Sequence, residues 1–417
     1  MTTLCLFEDA EVLHLRPLVD MRAAYQLRPG IYTLLESVRA LVPPSPVILH
    51  ARPDVASIAA AGLNLPVNTG VTGAVVFVNG RLLAEEGMAM ERIHALFAPD
   101  APELALVQNN DLIAARIHAA TPALWQHPFL GIDAFSTIPR ESVTGARLIR
   151  RLWDLIEEIR RALRYDAGPW ASASDWRRVD PTSAGVHVLV PEQVFVAPEV
   201  TLRPGAILNA SAGPIVIDRD STVMEGAILR GPLYIGPRST VKPRADLEGC
   251  SIGPGCKIGG EVQDTIFHAH ANKGHEGFLG HSFVGKWCNL GAGTTVSNLR
   301  NDYGEVTLFN EHLNTFEPTD RQFLGVIMAD HTKTGIQTMI NTGSVFGVSC
   351  NLFGAGYQER YVPAFSWGGP GKGLQSYRIE KALDVAERIM ARRQLPMTID
   401  ERERLIALFR RAHPYHR

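Results

Sequence analysis

The stretch IVIDRDSTVMEGAILRGPLYIGPRSTVKPRADLEGCSIGPGCKIGG, Ile215 to Gly260, carries an apolar residue at every sixth position: Ile217, Val223, Leu229, Ile235, Val241 and Leu247. Glycine or another turn former often follows, as in IGPRST, IGPGCK and IGGEVQ. The frame slips by one and resumes at Ile252 and Ile258. It returns at Val284, Leu290 and Val296, and again at Ile340, Phe346 and Leu352. A period of six is too long for an amphipathic helix and too regular for a β-sandwich. It predicts a hexapeptide parallel β-helix over residues 186–374, each coil stacking on the next around one continuous core.

Inside that frame, Lys273 to Tyr303 (KGHEGFLGHSFVGKWCNLGAGTTVSNLRNDY) concentrates histidine, lysine, asparagine and glycine. Such residues are costly in a core and useful in a site. His268, His270, His275 and His281 lie close together, the last two one hexapeptide apart. Two chemistries suit them. A histidine acts as general base on an amine or hydroxyl that attacks an acyl thioester, or three histidines hold zinc with one position open, as in a hydratase. The plain alternative is that the rings fill polar loop positions. The repeat breaks at 299–323, RNDYGEVTLFNEHLNTFEPTDRQ with its neighbours, and a loop expelled from a solenoid is a common place for function. From 375 to 417 the patterns EKALDVAERIMARR and IDERERLIALFRR predict helices that cap the solenoid or pack on a neighbouring subunit.

Residues 1–165 read as a Rossmann-like α/β domain. TTLCLF, SPVILHA, TGAVVFVNG and ELALVQ are β-prone runs between helical patterns such as IYTLLESVRALV and DVASIAAAGL. This alternation predicts a mostly parallel sheet. Near the end, GARLIRRLWDLIEEIRRALRYD carries an apolar stripe of Leu148, Leu152, Leu155, Ile156 and Ile159, with Glu157, Glu158, Arg160 and Arg161 toward water. AGPWASASDW then marks a linker over 166–185.

Composition bounds the rest. A chain of 417 residues with 46% hydrophobic and 20% charged residues has room for two or three globular domains. A net charge of −2 gives no reason to expect nucleic acid or membrane as partner. Five cysteines without metal-site spacing, acidic residues at Glu8 and Asp9, and no long apolar run predict a cytoplasmic protein with reduced thiols. No lysine precedes Lys242, whereas Lys242, Lys257, Lys273, Lys286 and Lys333 fall close together. That clustering suits polyanionic ligands.

The run GHEGFLGHSFVGKWCNLGAGTTVSN resembles the acetyltransferase region of the bifunctional N-acetylglucosamine-1-phosphate uridyltransferase/glucosamine-1-phosphate acetyltransferase family. The whole chain is more similar to a sugar-nucleotidyltransferase-like branch found in bacteria such as the Bacteroidetes. GPLYIG, KIGGEV, NKGHEGFLGHSFVG, NLGAGTTVSNLRNDYGEV and DHTKTGIQTMINTGSVFGVSCNLFGAG carry the match. The resemblance implies a left-handed, triangular β-helix and a homotrimer binding acetyl-CoA between neighbouring subunits. It implies N-acetylation of an amino-sugar 1-phosphate, joined to nucleotide transfer from a nucleoside triphosphate with Mg²⁺ to give a nucleotide sugar such as UDP-N-acetylglucosamine. The family pattern puts the base at His275, with His281 the competing choice. It assigns Phe278, Asn289 and Asn298 to the sugar, Lys242 to its phosphate, and Ala292 and Gly293 to acetyl-CoA. Lys273 joins the sugar side and Lys333 the acyl-CoA side as neighbouring cations. A second phosphate-binding lysine of the family is Gln263 here. In the N-terminal domain Arg22, Arg28, Gly30 and Glu36 match the branch's opening, and Asn79 and Asp111 are candidates for nucleotide or Mg²⁺ contacts. The family's lysine after the glutamate is Ser37. Two further readings are an acyltransferase with a degenerate nucleotide-binding domain and a zinc hydratase; the metal ligands are unknown.

Overall fold

The computed structural model describes residues 2–172, 177–178 and 185–412. Part of the linker expected at 166–185 and the last residues of the helical tail lie outside them. The chain forms two compact units, Met1–Leu27 with Tyr32–Arg151, and Arg28–Ile31 with Leu152–Arg417.

The first unit is built on a six-stranded sheet. Strands β1 (Thr3–Phe7), β2 (Val47–Leu49) and β3 (Val75–Asn79) are parallel, and β1 and β3 are buried throughout. Their near-continuous apolar runs suit strands covered on both faces. Helix α1 (Leu34–Leu41) begins in a capping box, with Glu36 N–H donating to Thr33 Oγ1 at 3.3 Å and Thr33 N–H to the Glu36 carboxylate at 2.7 Å. Helix α2 (Pro53–Leu63) opens on proline and closes on Asn64 in the left-handed region. The short β4 (Leu82–Leu83) and helix α3 (Met88–Ala95) follow. Strand β5 (Leu104–Gln108) turns back through Asn109, at φ 53°, into β6 (Asp111–Ile117). The strand β6 was not foreseen and is antiparallel to both β3 and β5. Its composition hid it: it carries Arg116, which stays buried by donating to the carbonyls of Leu96 and Ala98. Strand β7 (Arg140–Ser142) lies parallel to β5 at the sheet edge, and β8 (Arg147–Leu148) pairs with β4.

The second unit is the expected solenoid. Two ten-stranded sheets and one six-stranded sheet run along it, their strands parallel from coil to coil. Every sixth-position residue named above is buried in one cluster. The six-stranded face ends at Phe278–Gly280, and Thr295–Val296 paired with Met339–Ile340 resumes the same column. At the corners the backbone enters the left-handed region: Asp220, Arg238, Gly255, His270, Trp287, His331, Ser349 and Phe365 all have positive φ. L-residues there cost about 1 kcal/mol each, so stacked neighbours must hold the corners.

Helix α4 (Leu152–Asp166) starts four residues after Leu148, which lies in β8 instead. By its contacts it groups with the solenoid unit, whereas the sequence pattern counts it with the α/β domain. The charged face read as solvated is engaged there. Arg160 donates to Asp264 at 2.5 and 3.0 Å and to Glu248 at 2.8 Å, and Arg321 pairs with Glu157 at 2.5 Å. The expelled loop folds as a β-hairpin, Thr307–Asn310 against Thr315–Pro318. Helices α5 (Ile379–Ala391) and α6 (Ile399–Ala412) fold back along the coils: Arg393 donates to Asn272 Oδ1 at 3.1 Å and Phe409 packs edge-on to Phe365.

Candidate functional site

The four histidines occupy four different settings. His268 is buried against Phe283. His270 lies flat on Trp287, ring centroids 4.4 Å apart, and Trp287 in turn faces His331 at 6.5 Å. Burial, then Lys286, Arg393 and Arg238, push the His270 pKa down to about 4, so it is neutral at pH 7. His281 sits on a corner with one ring nitrogen hydrogen-bonded and the other facing a carboxylate beyond hydrogen-bond distance. Nδ1 is 2.9 Å from the Asn298 amide nitrogen, Nε2 is 3.6 Å from Asp264, and Phe323 stacks on the ring at 5.3 Å. Burial lowers its pKa despite Asp264.

His275 differs from all of these. It is exposed, and no hydrogen bond to its ring is formed within the described residues. Its backbone, by contrast, is pinned from inside. Lys273 takes an inward place stacked on Ile258, is only 1% exposed, and donates from Nζ to the carbonyls of Gly259 and His275, each at 3.0 Å. Burial pushes its pKa down to about 8. Lys273 thus braces this turn from inside, with both of its hydrogen bonds made to main-chain carbonyls.

The other solenoid candidates spread over two faces and two corners. Asn289 is exposed on the face that carries Lys257, Asn272, Lys333 and Asn351 in register. Lys242 follows the same face one coil below Ile258 and is half-buried. Lys333 donates to its own turn, at the His331 carbonyl. Phe278 opens the next face, and Ala292 and Gly293 form a corner, Gly293 at φ 72° against Gln337. The single chain joins Asn298 to His281, not to His275. The Asp264–His281–Asn298 cluster was missed as a unit. Its signal was present, for the three recur seventeen residues apart, one coil length.

The nucleotide candidates are built into the framework. Arg22 is buried and donates to the Leu18 carbonyl at 2.6 Å. Arg28 donates to the Ile31 carbonyl. Gly30 lies so close to α4 that a Cβ would stand 2.5 Å from Asp166 Oδ2 and 2.8 Å from the Ala162 methyl. Glu36 caps α1. Asn79 donates to Asp9 at 2.7 Å and to the Leu112 carbonyl at 2.9 Å. Asp111, in the β5–β6 turn, pairs with Arg81 and Arg150. Glu8 is closed by Arg52 at 2.5 Å and Asp9 by Arg81 at 2.6 Å. These carboxylates are already neutralised by arginine, so they do not fit an Mg²⁺ site. Among the described residues no group of three or more His, Cys, Asp or Glu is placed to hold a metal ion, and the zinc arrangement finds no support there. No helix among them is long and apolar enough to cross a membrane.

Residues 4–172 match the family described as sugar nucleotidyl transferase. The chain thus couples a nucleotidyltransferase-like segment to a hexapeptide solenoid. Among curated relatives, the bifunctional protein GlmU of Nitratidesulfovibrio vulgaris strain DP4 is 30% identical over 139 residues, 27% of this chain and 30% of the relative. The chain therefore spans less than a third of that relative's length. The uncharacterized acetyltransferase YaiX of Escherichia coli O6:K15:H31 is 27% identical over 168 residues, 40% of this chain and 72% of YaiX. Among solved structures, AntD, an N-acyltransferase from Bacillus cereus in complex with dTDP and 3-hydroxybutyryl-CoA, covers 51% of this chain and 92% of its own at 12% identity and a TM-score of 0.22. A likeness that slight says nothing about substrate.

Proposed function

We propose that the solenoid transfers an acyl group, acetyl by the resemblance, from acyl-CoA to the amino group of a sugar 1-phosphate, with His275 as general base. The supporting observation is the contrast between His275 and His281. A base needs a ring nitrogen open to the substrate. His281 has Asn298 on one nitrogen and Asp264 near the other, whereas His275 is exposed on a corner whose carbonyl is braced by Lys273. The amine nitrogen attacks the thioester carbonyl carbon, the proton passes to His275, and the C–S bond breaks to release CoA, which regains a proton as thiol. Asn289 and Lys242 lie on the face leading to this corner, suited to hydroxyl and phosphate groups. In a homotrimer, a neighbouring solenoid would supply the second wall that an exposed corner lacks.

The N-terminal domain handles the sugar nucleotide in this reading. The pairing of Glu8, Asp9 and Asp111 with arginines favours binding over Mg²⁺-dependent nucleotidyl transfer. The test uses the full-length protein with acetyl-CoA and glucosamine 1-phosphate, following CoA thiol. Release is expected, with His275→Ala lowering kcat by about 10²-fold or more and His281→Ala less. No thiol with any amino-sugar phosphate would sink the acyl-transfer reading. Pyrophosphate release with any nucleoside triphosphate would overturn the binding-only role.

A further inference from the structure

The loop from Leu299 to Val306, which leads into the hairpin, and the coils beside it line an open cavity of ≈ 390 Å³ that the acyl-transfer reading does not use. Its walls carry two guanidiniums, Arg300 and Arg360. Arg300 is held by Asp302 through Nε and Nη2 at 2.8 and 2.5 Å, and the Gly304 N–H fixes Asp302 in turn. Arg360 has no such counter-charge. Its guanidinium lies over the Phe316 ring at 4.7 Å and Nη2 donates to Thr307, while Nε is buried with no hydrogen-bond partner. Among the described residues no carboxylate pairs with it. Burial and the nearby Arg300 both lower its pKa, as expected of a positive charge left uncompensated. A half-buried guanidinium is stabilised by an anion, and its planar fork matches a carboxylate or phosphate.

The rest of the lining is unlike a simple anion site. Ser297, Asn341 and Thr342 also line it: the two hydroxyls pair with each other at 2.8 Å, the Asn341 side-chain oxygen accepts from the Thr342 N–H at 2.9 Å, and the Asn341 amide nitrogen and hydroxyl lone pairs are what they offer a ligand. Tyr357, 57% exposed, offers an open aromatic face at the rim. Hydroxyls and amides beside an aromatic plane suit a pyranose, whose C–H face packs on the ring while its hydroxyls reach these polar groups.

We propose that this cavity binds a monosaccharide bearing one phosphate or carboxylate group. The anionic group is held by Arg360, with Arg300 near, and the ring rests on Tyr357. The proposal uses neither His275 nor the acyl-transfer reading.

The test is calorimetric titration of the full-length protein with glucuronic acid, glucosamine 6-phosphate, N-acetylglucosamine and inorganic phosphate. At least one of the two anionic sugars is expected to bind about tenfold or more tightly than the neutral sugar and inorganic phosphate. Which of the two wins tells carboxylate from phosphate. Arg360→Gln is expected to abolish that preference. Because Arg360 also packs on Phe316, Tyr357→Ala is the second variant: its side chain is exposed, and it is expected to weaken the anionic and neutral sugars alike. Binding is expected to persist in His275→Ala. The proposal is overturned if no anionic sugar binds more tightly than N-acetylglucosamine, if Tyr357→Ala and Arg360→Gln leave binding unchanged, or if His275→Ala removes it.

Discussion

Lys273 breaks the rule of the column it stands in. Its neighbours along that column include Val241, Ile258 and Leu352, all buried apolar residues. An ammonium enters such a core only if hydrogen bonds satisfy it, and the carbonyls of Gly259 and His275 do so. Its pKa in the fold, about 8, lies below the ordinary lysine value. The unfolded chain therefore binds the proton more tightly, and the charged lysine penalises the fold. That penalty is full below pH 8 and is relieved as pH rises toward the unfolded value near 10.4, by at most about 3 kcal/mol. Wild type should thus gain stability relative to Lys273→Met between pH 8 and 10, read as the difference in urea midpoints at each pH. A flat difference would show that Lys273 does not titrate in this range. If the brace also positions His275, the variant should lose kcat with little change in KM, and Lys273→Arg should not restore it, because a guanidinium does not fit the space of an ammonium.

Helix α4 shows how an element can be legible while its partner is not. Its apolar stripe from Leu152 onward was plain from the 3.6-residue period, but its start and the ion pairs on its other face were not. Arg160 reaches Asp264 and Glu248, which lie on successive coils far along the chain, and no local pattern announces such a contact. The same limit applies to His281. The hexapeptide ladder was clear because burial imposes it on every coil. Asp264, His281 and Asn298 meet only through stacking, and the ladder's slips obscured their shared coil spacing. The inward Lys273 was obscure for a related reason: a lysine in a glycine-rich run looks like a ligand until the coil register turns it inward. Arg160→Met is expected to cost about 2 kcal/mol, since it leaves the largely buried Asp264 without its bidentate partner. Asp264→Asn added to it should cost much less than Asp264→Asn alone. Burial holds the His281 pKa down and Arg160 adds to that, so Arg160→Met should move the His281 titration upward in NMR. An unmoved or lowered titration would break the link between helix and corner.

At the scale of the whole molecule, the division between units does not follow the chain. The tetrapeptide Arg28–Ile31 leaves the α/β unit and is built into the solenoid unit. Ile31 N–H donates to Asp166 Oδ2 at 2.8 Å, and the Gly30 carbonyl accepts from Ser251 Oγ at 2.5 Å. Gly30 faces Ala162 with no room for a side chain. The N-terminal sequence LRPG, legible as a nucleotide motif, therefore has a structural use sufficient to explain its glycine. A break at Arg151 would strand this segment. The fragment 1–151 would retain its sheet but leave the Ile31 amide and Gly30 carbonyl without their partners, each loss worth about 1–3 kcal/mol if the group remains buried. It should be markedly less stable than fragment 1–172, which keeps α4 and restores Asp166. In the full chain, Gly30→Ala should lower stability by about 1–3 kcal/mol through overpacking, measured by denaturant midpoint. Equal stability of the two fragments, together with a neutral Gly30→Ala, would show that the tetrapeptide is incidental to the solenoid unit and would return Gly30 to the nucleotide site.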